Sequence, residues 1–229
     1  MINLLVILDK NQIKWEYHNF INLYYPRSRK INKNSNTNSK SIFIPTDRSI
    51  LIKLSISILL ILLTSIFAQF RFFIPGNPVP ITFQTMGILL MGGVLGPKWG
   101  LSASTGYILL GLAGVPVFQG GNGGWDYSLG VTGGYLIGFL LSSFIVGILV
   151  NKGLNGSKSI WAYIIGTLTV YIPALIWLSV FDFSWPEEGM LLSQGVYPFL
   201  IGDMIKAIIA SLFTVGLTYS SFKNYLYKK

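Results

Sequence analysis

From Ile50 to about residue 220 the chain is a succession of apolar runs almost free of charge, each closed by glycine, proline or a basic residue. In hydrocarbon a backbone amide has no water to bond, so runs of this length fold as membrane-spanning helices that satisfy their amides internally. Six are distinguishable, at about 50–70, 81–96, 99–114, 131–150, 159–180 and 196–220. The second and third fall short of the roughly 20 residues that a straight span takes. The sequence between them, Gly96-Pro-Lys-Trp-Gly100, is nonetheless that of a tight turn, with Pro and Gly as punctuation and Lys98 marking the water. A hydrophobic content of 52%, a charged content of 11% and a mean hydropathy of +0.58 exclude an ordinary soluble globule. The expected fold is all-α: a polytopic bundle of six transmembrane helices over residues 49–222, in contact with the lipid bilayer.

Residues 1–48 have a different composition, with Arg27, Arg29, Lys30, Lys33 and Lys40 set in an Asn/Ser tract. Such a segment buries too little to fold alone, and the expectation is a disordered or interfacial extension. Its opening apolar run is too short to span, and Asp9 follows with no small-residue cleavage site, which speaks against a secretory signal. Residues 223–229 form a basic tail. The net charge of +9 is distributed as a topology signal and not as a nucleic-acid surface, since nine of the seventeen Lys and Arg lie within residues 1–53 and most others flank apolar runs. Basic loops favour the cytoplasm, so Lys98, Lys152, Lys158, Lys223, Lys228 and Lys229 are expected there together with both termini. Arg71 and the acidic Asp182, Glu187 and Glu188 then face the exterior, as in a multi-pass protein of a bacterial-type plasma membrane.

Several chemistries lack their residues. Cysteine is absent and His18 is the one histidine, so thiolate nucleophiles, cysteine or histidine metal clusters and His-based triads have no candidates. Gly156-Ser-Lys-Ser does not fit a nucleotide-binding loop, and the glycines at 121, 123 and 124 follow no strand of a βαβ unit. No catalytic constellation emerges, and the reading is a non-enzyme without a cofactor of its own.

What stands out instead is Asp203 and Lys206, two ionisable groups inside an apolar run. Each costs roughly 2.5–3.5 kcal/mol to insert, so such groups face inward and are tied to a partner or a ligand. Their i, i+3 spacing puts both on one helix face, where one accepts and the other donates toward a small polar ligand such as a urea or an amide. The plainer alternative is a structural ion pair, and a membrane enzyme using Asp203 as general base would need a second acid or base that is not evident. Thr82, Gln84, Tyr107, Asn122, Trp125 and Tyr135 are expected to converge with the pair at the outer half of the bundle, Trp125 and Tyr135 as pocket walls. Trp185 and Tyr197 are expected as interface anchors. Gly120-Gly-Asn-Gly-Gly124 would let backbone, including Gly121 and Gly123, approach a ligand closely.

Pro78-Val-Pro-Ile-Thr-Phe-Gln84, Leu95-Gly-Pro-Lys-Trp-Gly100, Gly111-Leu-Ala-Gly-Val-Pro-Val-Phe118, Thr132-Gly-Gly-Tyr-Leu-Ile-Gly-Phe139 and Pro198-Phe-Leu-Ile-Gly-Asp-Met-Ile-Lys206 occur in this order. Together they resemble the BioY family, the biotin-capturing S-components of energy-coupling factor (ECF) transporters, over about residues 50–220. The resemblance implies a six-helix S-component holding biotin near the external face, with a membrane coupling subunit and two ABC-type ATPases as partners that alone use ATP. It also implies that Asp203 and Lys206 bond the ureido ring, with Gln84, Asn122 and Tyr135 around the rest of the ligand. Where some relatives carry arginine this chain has Asn122, which would leave the valerate carboxylate to a neutral donor or to an anion nest of the Gly120–Gly124 amides. An S-component for another small vitamin is the alternative, because an Asp and a Lys suit several polar heterocycles.

Overall fold

The computed structural model describes residues 50–226, with side chains as far as Leu217. The polar zone 1–48 lies outside the described residues. Seven helices follow in chain order: α1 (Ile50–Gln69), α2 (Gln84–Leu112), the short α3 (Trp125–Ser128), α4 (Gly133–Asn151), α5 (Ser159–Val180), the short α6 (Leu191–Gly195) and α7 (Tyr197–Leu226). A two-residue hairpin, β1 (Arg71–Phe72) with β2 (Ile81–Thr82), joins α1 to α2. Where the second span was expected to begin at residue 81, the chain is therefore strand, and helix starts at Gln84. Among the described residues, four segments are long and apolar enough to cross a membrane: Ile50–Gln69, Gly133–Asn151, Gly156–Val180 and Leu191–Leu217. The other two spans of the six-helix bundle are the arms of α2.

Gly96 divides those arms. Its φ of 77° and ψ of −179° lie in a region essentially reserved for glycine, and Pro97 behind it supplies the fixed φ that begins a helix. The reversal is sharp. Gln84 Nε2 donates to Tyr107 Oη at 2.8 Å across 23 residues, whereas an unbroken helix would hold those positions about 34 Å apart. Gly147 of α4 leaves room for this turn, because a β-carbon there would strike the backbone of Gly96 and Pro97.

α4 is central, packed against α2 on one side and α5 on the other, while α7 closes on α5 and α2. Gly92 meets the Ser143 backbone and Gly138 the Val170 backbone, close approaches typical of helix contacts in lipid. Hydrogen bonds reinforce them, Ser104 with Ser143 at 2.8 Å and Ser159 with Ser211 at 2.7 Å. On α1, Ser57, Leu60, Thr64 and Ala68 turn inward at helical spacing, leaving Leu51, Ile58, Leu62 and Ile66 exposed as an outward apolar face. The expected interface anchors divide: Tyr197 is exposed, whereas Trp185 is buried in an apolar cluster with Val79, Tyr171, Leu178 and Phe199.

α1 ends, both arms of α2 terminate outward, α4 and α7 begin, and α5 ends at one pole of the bundle, so Arg71, Asp126, Asp182, Glu187 and Glu188 gather there. Lys98, Lys152 and Lys158 gather at the other, with Lys53 Nζ 5.9 Å from the Trp99 ring centroid.

Candidate binding site

The acidic pole opens into a pocket whose walls come from six parts of the chain. The hairpin contributes Val79 to Thr82, and the first turn of α2 contributes Gln84 and Thr85. Gln119 and Tyr127 enter from the loop region, Tyr135, Leu136 and Phe139 from α4, Val170 and Tyr171 from α5, and Phe199, Asp203 and Lys206 from α7. Asn77 fixes the hairpin end of this frame, its Oδ1 accepting from the Val79 amide at 2.9 Å and its Nδ2 donating to the Gln194 carbonyl at 3.0 Å.

Asp203 and Lys206 are 5% and 4% exposed, so their charges are out of bulk water. Lys206 Nζ lies 2.5 Å from Asp203 Oδ1 and donates also to the Thr82 carbonyl at 2.7 Å. An ammonium carries three protons, so one remains for a ligand. The other carboxylate oxygen, Oδ2, accepts from the Tyr171 hydroxyl, and each carboxylate oxygen has capacity for a further donor. The pair is thus electrically neutral and held from two other elements, yet presents an acceptor and a donor side by side. Among the described residues no cluster of three His, Cys, Asp or Glu side chains is present.

Thr82 and Gln84 flank the pair. Thr82 Oγ1 donates to Gln84 Oε1 at 3.2 Å, and Gln84 Nε2 is taken by Tyr107. Tyr107 itself is fully buried and donates to the Val117 carbonyl at 2.9 Å. It stands behind Gln84 and sets its orientation without lining the pocket. Tyr135 does line the pocket, and its hydroxyl reaches the Gly195 carbonyl at 2.7 Å, which ties α4 to α6 and leaves the ring as wall. Burial pushes the Tyr127 phenol above its ordinary value, so it meets the pocket as a neutral hydroxyl.

Four expected residues stand elsewhere. Trp125 is 63% exposed, on the outer side of α3 and outside the pocket. Asn122 is turned onto its own loop, Nδ2 donating to the Gln119 carbonyl at 2.7 Å. Gly121 and Gly123 do not line the cavity either. The Gly121 amide donates to Gln69 Oε1 at 3.0 Å, that of Asn122 to the Gln119 carbonyl at 3.3 Å and that of Gly124 to the Gly111 carbonyl at 2.6 Å. Three of the five amides of the expected anion nest are thus engaged within the protein. At Gly123 a β-carbon would come within 2.6 Å of the Val115 carbonyl, so close packing, not a positive φ, requires glycine.

Tyr171, Gln119 and Phe199 were not singled out from the sequence. Tyr171 carries a weak signal, since Tyr163, Thr167, Val170, Tyr171 and Ala174 recur at the spacing of one buried helix face. Nothing in that pattern distinguishes a pocket phenol from core.

A family model described as the BioY family matches residues 36–221. Among similar proteins, the biotin transporter BioY of Thermotoga maritima is 36% identical over 63% of this chain and 83% of its own. The probable biotin transporter BioY of Pyrococcus horikoshii is 37% identical over 69% of this chain and 91% of its own. A crystal structure of the S-component for biotin from an ECF-type ABC transporter superposes with a TM-score of 0.67 at 33% identity, covering 76% of this chain and 94% of that one. A match along most of the chain, in sequence and in fold, shows that this protein belongs to the BioY family.

Proposed function

We propose that this chain is the biotin-capturing subunit of an ECF-type importer, lying in a bacterial-type plasma membrane with both termini cytoplasmic. It takes biotin at the external pole and is returned to the other side by a membrane coupling subunit and two ABC-type ATPases, itself carrying out no chemistry. The names of its relatives support the ligand, and the Asp203–Lys206 pair is the observation in this structure that carries it. A ureido ring has N–H donors beside a carbonyl acceptor. Asp203 accepts from the N–H groups, and the uncommitted Lys206 proton goes to the carbonyl. Tyr135, Phe199, Val170 and Phe139 enclose the apolar faces of the fused rings, while Thr82 and Gln84 offer polar atoms at their edge. The pair costs little to engage because neither charge has to be created or neutralised on binding.

Isothermal calorimetry with biotin and the purified full chain tests the assignment. Losing one charge-assisted partner in a dry pocket costs about 1.5–3 kcal/mol, roughly ten- to hundredfold in affinity. Asp203→Asn is expected to fall in that range while still inserting and folding. A folded Asp203→Asn variant with undiminished biotin affinity would refute the role given to the pair.

A further inference from the structure

Arg71 lies across the hairpin ladder from Thr82, the residue whose carbonyl receives Lys206. Its Nη1 donates to Gln119 Oε1 at 3.3 Å, and Gln119 is part of the pocket wall. The guanidinium is also 5.1 Å from the Phe73 ring centroid, a cation–π distance. Gly120 makes the place for it. A β-carbon at 120 would fall on the guanidinium, with Cζ at 2.8 Å, and would move that side chain from its present place. The loop that carries Gln119 and Gly120 is fastened in turn to the end of α1, where Gln69 Nε2 donates to the Phe118 carbonyl at 3.1 Å. Two residues beyond Gln69, Arg71 is therefore set at a defined position on the pocket rim.

Charge gives this position a purpose. Lys206 is cancelled by Asp203, the ion pair found among the described residues. Lys53, Lys98, Lys152 and Lys158 belong to the opposite pole. Among the described residues Arg71 is thus the cation beside the pocket that has no ion-pair partner, with most of its five N–H donors in a planar fork still open. The amides of Gly121, Asn122 and Gly124 and the Asn122 side chain are occupied.

We infer that Arg71 receives the anionic tail of the ligand, with Gln119 as the residue that positions it. The inference rests on the reading of the ring site above: a ligand whose neutral polar ring sits at Asp203 and Lys206 and whose flexible chain ends in a carboxylate reaches the rim, and the fork binds that carboxylate through two N–H donors. Arg71 then selects acids over neutral analogues, a discrimination separate from recognition of the ring.

The test compares biotin with biotinamide, which keeps the ring and neutralises the tail, against the purified full chain in lipid nanodiscs. The unaltered protein is expected to prefer biotin by about two- to fivefold at low salt, shrinking as salt rises, as for an exposed ion pair. Arg71→Gln is expected to abolish the preference by weakening biotin while biotinamide binds as before. Arg71→Lys should retain part of it, and Gln119→Leu should reduce the ratio of the two affinities. Equal weakening of both compounds by Arg71→Gln, or an undiminished preference, overturns the role of Arg71 and leaves the ring site intact. Failure of the unaltered chain to bind either compound overturns the ring site and this inference with it.

Discussion

Tyr171 donates to the Asp203 oxygen that Lys206 leaves open, so the carboxylate enters the pocket already fixed in rotation. Its contribution should be smaller than that of the charge it orients. Tyr171→Phe removes a donor to an ionised acceptor, a bond worth about 1.5–3 kcal/mol; because the bond is already present without ligand, the loss should fall mainly on the melting temperature of the ligand-free chain and lower affinity by less than Asp203→Asn does. Calorimetry beside a thermal melt checks both; a loss as large as that of Asp203→Asn would make Tyr171 a ligand contact in its own right. Asp203 and Lys206 were legible in the sequence because charge inside an apolar run is an anomaly with a cost attached. Tyr171 was not, as one of twelve tyrosines in a chain where the same residue type serves core, interface and pocket. Trp125 shows the converse: closeness in sequence to the glycine loop suggested a wall, and α3 turns the indole outward.

At the scale of elements, the site depends on the fold of α2 back upon itself, since Gln84 and Tyr107 meet only across that hairpin. Gly96→Ala forces a β-carbon into a glycine-only conformation at an estimated 1–3 kcal/mol and should lower the melting temperature well below that of Gly156→Ala, a positive-φ glycine at the same pole with open space around it. Comparable melting temperatures for the two variants would mean that the turn tolerates distortion. Its sequence announced the reversal through Gly96-Pro97, and the spans expected at 50–70, 131–150 and 159–180 agree with α1, α4 and α5 to within about two residues at either end. The hairpin was not legible. Two-residue strands have no periodicity to read, and Arg71 and Thr82 are brought together by pairing that only the folded loop shows.

For the whole molecule, the separation of Lys98, Lys152 and Lys158 from Asp182, Glu187 and Glu188 onto opposite poles predicts one orientation. The chain has no cysteine of its own, so a single engineered thiol reports unambiguously. In intact cells an impermeant maleimide should label Glu187→Cys and spare Lys152→Cys, with the reverse pattern excluding capture from outside. The cancellation of Lys206 by Asp203 matters for such a protein in an energised membrane. A lone buried charge carried through the field would be pulled by about 2.3 kcal/mol per 100 mV. A pair of opposite charges one helical turn apart feels almost no net force, so the floor of the pocket can change sides with the voltage neither driving nor resisting it.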